Sequence, residues 1–555
     1  MNIKELLAKK ISEILNEDKE NVYKTIEQPK DKGDFAFPCF RFAKAAGKNP
    51  AELATFLAER LKIDVVRKIE VVNAYVNFFI KTESLANIVF ERSLEHKPSN
   101  NKTVVIDFSS PNIAKHFHIG HLRSTVIGGS LRNIYNHLGY NTIGVNHLGD
   151  WGTQFGKLIV AFKKYSSIEE VREHGIDVLM RIYARFTQEA KEDESLNDEA
   201  RAYTVKLEQG DSEAVELWQY FKEISLAEFD KVYKRLGIEF EYTLGESFYI
   251  DKIPGAIKEL EDKGILLESE GARIVDLEEY KLPPCLMFRK DGGSLYHTRD
   301  LAAILYRKSE YKFDKIIYVT AVDQITHFKQ LFAVVKKLGF DFDMQHAAFG
   351  LVTLPEGKLS TREGRVVLMS DLINQTVAKV RNIIEEKNPT LANKDEVAEQ
   401  VGVGALIFND LFNGRIKDIV FSFEHILNFE GETGPLVQYT HARACSILRK
   451  NCEKNYEETD EINHNLFECE YSHHLLYTLY MFDHKLEDVI AKDEPYLLSR
   501  YLIDLAGAFN RFYHNVPILS SETETKNARL ALVRQTKNTI KKGLELLGIK
   551  APEEM

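Results

Sequence analysis

Apolar residues recur at helical spacing at the start of the chain, where Ile3, Leu6, Leu7, Ile11, Ile14 and Leu15 share one stripe, the signature of an amphipathic helix. A Gly/Pro-punctuated stretch over 33–38 interrupts that period. Asn49-Pro50 then predicts a second helix, with Asn as N-cap and Pro in the first helical position. Residues 69–80 (IEVVNAYVNFFI) read as strand, and the polar run 96–102 reads as a linker. Residues 1–98 therefore predict a small α+β domain.

Beyond the linker the pattern changes. The short apolar run 103–108 (TVVIDF) suits a buried parallel strand, 121–138 a helix closed by Gly139, and 141–146 (NTIGVN) the next strand. Strand, crossover helix and parallel strand form the unit of a doubly wound sheet. Residues 157–284 are charged and helical in pattern, without strand alternation, and read as an insertion between the two halves of that sheet. The βαβ pattern returns with a helix over 298–308, strand 315–320, helix 326–338 and strand 346–352. A Gly-punctuated loop over 355–364 follows, then a helix with Ile373, Val377, Val380 and Ile384 on one face, and from about 394 helix succeeds helix. The expected fold class is α/β. A Rossmann-like doubly wound parallel sheet, split by a helical insertion at about 157–284, occupies 99–395, between the N-terminal α+β domain and a C-terminal α-helical bundle over 396–555.

Composition narrows the function. A chain of 555 residues exceeds one core and fits several domains of roughly 150 residues. No apolar run approaches the roughly 20 residues that cross a bilayer. The first residues run straight into an amphipathic pattern, so no leader and no membrane partner are expected, and the expected location is cytoplasmic. Five cysteines without a C-x-x-C pair predict neither a disulfide framework nor a metal site. A net charge of −11 argues against polyanion binding by the whole surface but leaves room for a local basic patch. The segment 526–542 is such a patch, with six basic residues and no acidic one. With Val533, Ile540, Leu544 and Leu547 on one helical face, Arg534, Lys537 and Lys541 fall toward another.

The densest chemistry is Asp107-Phe-Ser-Ser110-Pro-Asn112-Ile-Ala-Lys115-His-Phe-His118-Ile-Gly120-His121. It falls where the first sheet strand ends and a helix begins, a place where free amide donors and the positive end of a helix face a ligand. His118 and His121 are three apart and share a face, Lys115 adds a full charge, and Gly120 lets backbone approach a nucleotide closely. An H-x-x-H pair could also bind zinc or be a satisfied core pair, but no cysteine or third ligand accompanies it. No Walker loop is present.

The run PNIAKHFHIGHLRST, followed by NHLGDWGTQFG, resembles the HIGH region of class I aminoacyl-tRNA synthetases, and of the arginyl enzymes in particular. The resemblance spans the chain and is weakest over 160–285. It implies ATP-dependent attachment of L-arginine to its tRNA through an arginyl-adenylate, with Mg²⁺ on the ATP and with tRNA required for activation. It implies Lys115, His118, His121, Lys358 and Ser360 as catalytic residues, and His118, Gly120, His121 and Lys358 as ATP ligands. For arginine it implies Tyr296 and Asp300, with Asp107 as second anion, at the guanidinium, and Ser110, Asn112 and Gln324 at the α-ammonium and carboxylate. Here the sequence departs from the class: in the KMSKS-like run Lys358-Leu-Ser360-Thr361-Arg362, threonine stands where the second lysine belongs, and Lys115 would supply the missing cation. Stretches 431–443, 509–514 and 551–555 resemble the anticodon-binding helical domain, which turns Tyr439, Met555 and the Arg534, Lys537, Lys541 stripe toward tRNA. Residues 1–98 resemble the appended domain that touches the tRNA elbow. A monomer is expected. The rivals are a class I synthetase for another amino acid and a catalytically silent RNA-binding paralogue.

Overall fold

The computed structural model describes residues 2–29, 32–290, 295–354, 357–358, 367–452, 462–467 and 469–555, with backbone only at Leu354, Gly357, Lys358 and Cys452. A five-stranded sheet carries the candidate chemistry. Its strands are β1 (Thr103–Asp107), β2 (Asn141–Asn146), β3 (Tyr242–Thr243), β4 (Lys315–Tyr318) and β5 (Asp343–His346), in the spatial order β5-β4-β1-β2-β3. Every neighbouring pair is parallel. Val104, Val105 and Ile106 of β1 are buried, as the central strand of a sheet covered on both faces requires. The crossover helices α1 (Ile119–His137), α2 (Tyr296–Tyr311) and α3 (Ile325–Lys337) follow β1, precede β4 and precede β5. The strand order reverses between β1 and β4, which opens a crevice at their carboxyl ends.

Three expectations change. The strand expected over 346–352 ends at His346. Buried Ala347, Ala348 and Phe349 run on beside the end of β4 as an irregular extension, the Ala347 amide donating to the Tyr318 carbonyl at 2.8 Å and the Phe349 amide to the Thr320 carbonyl at 3.1 Å, before β6 (Val352–Leu354) joins a separate small sheet with β7 (Gly357–Lys358) and β8 (Ile419–Val420). The run 69–80 belongs to a hairpin of Val66–Val72 and Tyr75–Ile80, turned at Asn73, whose φ is 55°. Asparagine tolerates that left-handed conformation. The insertion is not all helical, since it supplies β3 and the strands Leu266–Ser269 and Ala272–Val275, which form an antiparallel sheet with Cys285–Phe288 just beyond it. Strands of four residues with exposed charged members, such as Glu268, show no alternation to read.

The contacts define two compact units: Met1–Leu94 with Arg443–His484 and Asp504–Ile540, and Glu95–Ala442 with Lys485–Ile503 and Lys541–Met555. In the first, Asp34 Oδ2 accepts from the Ile80 amide at 2.6 Å, and its Oδ1 lies 3.0 Å from His473 Nε2. His473 Nδ1 in turn meets Thr82 Oγ1 at 2.8 Å. In the second, helices α4 (Met369–Lys387) and α5 (Lys394–Leu411) follow the small sheet's hairpin. The chain end is held there: Gln438 Nε2 donates to the Lys550 carbonyl at 2.8 Å, and Asn388 Nδ2 donates to the Met555 carbonyl at 3.2 Å. Among the described residues no helix is long and apolar enough to cross a membrane.

Candidate active site

The first turn of α1 organises the end of the crevice where the sequence leads one to expect the nucleotide. His118 is its N-cap, and its Nδ1 accepts from the Gly120 amide at 3.1 Å. The His118 amide donates to His121 Nδ1 at 3.2 Å, and the two rings lie 3.9 Å apart. With both Nδ1 atoms accepting, both rings are neutral and carry their proton on Nε2. Burial lowers the His118 pKa, helped by Lys115 and His116, and pushes His121 down to about 3, helped by His118 and Lys115. The pair thus offers N–H donors, and the positive charge comes from Lys115, which is exposed. Gly120 has a second reason to be glycine, because a Cβ there would lie 2.8 Å from His118 Cε1. Below this turn a cavity of about 250 Å³ runs between Lys115, His118, Gln154, Phe155, Met180 and Tyr183.

The loop after β1 is pinned to the loop after β2. The Gly149 amide donates to the Pro111 carbonyl at 3.1 Å, and the Ile113 amide donates to the Gly149 carbonyl at 3.2 Å. A Cβ on Gly149 would fall 1.8 Å from Asn112 Oδ1. The rest of GDWGTQFG secures the insertion. Buried Asp150 takes Lys222 Nζ at 2.7 Å and the Ser247 amide at 2.9 Å, Trp151 meets Trp218 edge-on at 5.8 Å, and Gly156 sits against the Ala200 carbonyl.

The amino-acid end brings together some expected residues and adds others. Asp300 is the fifth residue of α2, so it does not cap that helix; Leu295 holds the cap position. Its carboxylate accepts from His327 Nε2 at 2.6 Å. Burial alone would raise the Asp300 pKa, but the His327 hydrogen bond and the potentials of His327, His147 and His297 lower it. Asp107 is not a free second anion: Arg307 Nη1 lies 2.7 Å from its Oδ2, with both side chains buried, and Ser110 Oγ donates to its Oδ1 at 3.0 Å. Arg307 also donates to His147 Nδ1 at 3.0 Å. Burial depresses the His147 pKa, helped by Arg307 and opposed by the charges of Asp107, Asp300 and Asp150. Arg299 Nη1 meets Glu246 Oε2 at 2.5 Å, and burial outweighs that partner, pushing the Glu246 carboxyl up to about 7. His297 stacks on His327 at 4.1 Å, and burial with that neighbour pushes it down to about 4. Tyr296, 67% exposed, lies 5.4 Å from the Arg299 guanidinium, and Asn112 and Gln324 are exposed. Arg307, His147, His327 and Glu246 were missed from sequence. The signals were that His147 stands in the run NHLGDWGTQFG and that Arg307 lies on the helix begun by Tyr296.

Lys358 stands in β7, and Ser360, Thr361 and Arg362 lie outside the described residues. In the expected tRNA stripe, Lys541 is exposed while Arg534 and Lys537 are half-buried. Lys526, which opens the basic run, is buried at 2% exposure, and Arg529 Nη1 donates to the Pro517 carbonyl, so neither presents a simple solvated charge. Tyr439 is 40% exposed, and Met555 packs against Val380, Ile384 and Leu391.

Comparison with known proteins agrees across the chain. Residues 84–423 match the family model of tRNA synthetases class I (R), catalytic domain; 437–555 match the DALR anticodon binding domain; and 1–80 match the arginyl tRNA synthetase N-terminal domain. An arginine–tRNA ligase of Clostridioides difficile is 49% identical, covering 100% of this chain and 99% of its own. One from Enterococcus faecalis is 48% identical over the full length of both. Among solved structures, arginyl-tRNA synthetase from Thermus thermophilus superposes over 100% of both chains with a TM-score of 0.88 at 25% identity. That from Plasmodium falciparum covers 99% of both with a TM-score of 0.83 at 26% identity.

Proposed function

The chain belongs to the arginyl-tRNA synthetases, and on that premise we propose how its residues divide the work of attaching arginine to tRNA with ATP as substrate. The arginine carboxylate attacks the α-phosphorus, pyrophosphate leaves, and the arginyl group passes to the terminal adenosine of the tRNA. Negative charge grows on the phosphates in the transition state, where preorganised donors help most. The Nε2–H groups of His118 and His121 meet that charge as neutral donors, and Lys115 and Lys358 meet it as cations, with Ser360 a further donor from the sequence reading. ATP enters as its magnesium complex.

At the other end of the crevice, Asp300 receives the guanidinium, held ionised and oriented by His327. A planar fork of donors calls for a fixed carboxylate, and Tyr296 closes over it. Asp107 acts through its pair with Arg307 rather than as a free anion, holding Ser110 in place. Asn112 and Gln324 take the ammonium and carboxylate. The division along the chain is 1–98 for the tRNA elbow, 99–395 for catalysis and 396–555 for the anticodon, with Tyr439, Met555 and the Arg534, Lys537, Lys541 stripe facing RNA. We read the protein as a monomer acting in the cytoplasm.

The observation that carries this reading is the mutual capping of His118 and His121, which aims paired N–H donors from a helix N-terminus. ATP–pyrophosphate exchange with arginine, with and without tRNA, tests it. Arginine-dependent exchange that vanishes in a His118→Ala, His121→Ala double variant is expected. Exchange at the parent rate in that variant would overturn it.

A further inference from the structure

Arg123 lies on α1, two residues past His121, and is 1% exposed. Its Nη1 donates to two carbonyls at once, Gly350 at 2.9 Å and Lys417 at 2.7 Å, and its Nε donates to buried Asp410 at 3.3 Å. Gly350 leads into β6 and Lys417 into β8, neighbouring strands of the small sheet that also holds β7 with Lys358. The start of α1 grips the same region from the far side. The Ile119 amide donates to the Val367 carbonyl at 3.1 Å, and the Met369 amide donates to the Phe117 carbonyl at 3.0 Å. One helix therefore carries His118 and His121 and holds the chain both before and after Lys358.

Burying an ion pair is a poor way to gain stability, since apolar side chains of similar volume often pack as well or better. What a guanidinium adds is geometry. Its rigid plane fixes Nη1, which holds both backbone oxygens, relative to Nε, which is anchored on Asp410, and an ammonium, as a single point charge, has no second nitrogen for that anchor. A small sheet leaning on a helix by apolar contacts alone could slide, and a shift of about 1 Å between catalytic groups costs on the order of 100-fold in rate.

We propose that Arg123 is a positioning residue of arginyl transfer: through Gly350 and Lys417 it sets the separation of Lys358 from His118 and His121. This rests on the reading that Lys358 and the two histidines act on the same phosphates. Arg123 touches no substrate, and its effect passes through the backbone of the small sheet.

The test is single-turnover arginylation at saturating ATP, arginine and tRNA, normalised to titrated active sites. Arg123→Lys should lower the rate per site by about 10- to 100-fold, with KM for arginine and ATP within about twofold of the parent, the signature of an interaction felt in the transition state. Gly350→Ala approaches the same contact from the other partner, since a Cβ there would lie 2.7 Å from both Asp418 Oδ1 and the Ile416 carbonyl. It should show the same split and keeps the proposal testable if Arg123→Lys does not fold. Arg132→Lys, on the same helix and paired with Glu241, should match the parent. A purely structural role would reduce the number of active sites while leaving the rate per site intact, and that result overturns the proposal, as does a matching rise in KM. Lys358→Ala separates the two layers. If it turns over at the parent rate, the underlying reading fails; if it is slow while both positioning variants are normal, only the role of Arg123 fails.

Discussion

His118 fixes the tautomer of His121, because the amide of His118 ends on Nδ1 of His121, while the Nδ1 of His118 is itself fixed by the amide of Gly120. Neither imidazole can then be the cation that balances phosphate. In the proposed mechanism its place falls to Lys115, whose charge itself helps to keep both rings neutral.

That neutrality has a stability cost in acid. The His121 pKa is about 3 in the folded chain against an ordinary 6.5, so between those values the unfolded chain binds a proton that the folded chain does not. Stability from this group is therefore lost as pH falls from about 6.5 toward 3. Between pH 7 and pH 5 the loss is about 2 kcal/mol. His121→Gln should remove that share, leaving urea unfolding less sensitive to pH than in the parent. Equal pH dependence in both proteins would refute it.

Lys115→Ala should lower arginyl transfer by at least about 100-fold, the scale of losing one transition-state donor. Arginine KM should change little. Steady-state kinetics decide this, and near-normal turnover would leave Thr361 without its substitute cation.

Asp300→Asn keeps the shape of the site but removes the anion that His327 orients. Arginine kcat/KM should fall by more than about 100-fold, with ATP KM held within about threefold. Lysine and citrulline should be poor substrates of the parent, the first lacking a planar fork and the second a charge. Rejection of that kind needs no second hydrolytic site, so mischarged tRNA should survive incubation with the enzyme. Measurable deacylation would contradict it.

Neutralising Arg534, Lys537 and Lys541 together should weaken tRNA binding and flatten its salt dependence by about one slope unit per lost phosphate contact. ATP affinity should stay as it is. Binding isotherms at several salt concentrations that show unchanged affinity and slope would return these residues to a solvated helix face.

Local pattern made much of this legible. The strand over 141–146 falls where its sequence places it, the helix expected over 121–138 runs from Ile119 to His137, and Val533, Ile540, Leu544 and Leu547 are all buried. Lys526 was legible too, though overlooked: it precedes Val533 by one heptad and Ile540 by two, on the buried face. What no local pattern could reveal are partners far apart in the chain. Arg307 meets Asp107 across 200 positions, and Arg123 meets Asp410 across 287. A carboxylate read alone looks available to a substrate, and only the folded chain shows which ones already have a guanidinium.

The contact between Asn112 and Gly149 carries a consequence for anyone who would alter the amino-acid pocket. A side chain at 149 would collide with Asn112 at once, and the two residues flanking Asn112 bond to the N–H and the carbonyl of Gly149 itself. The loops after β1 and β2 thus behave as one cartridge. Grafting either alone into another synthetase scaffold would import half of a joint, and a library that puts side chains at 149 while keeping Asn112 samples shapes that cannot close.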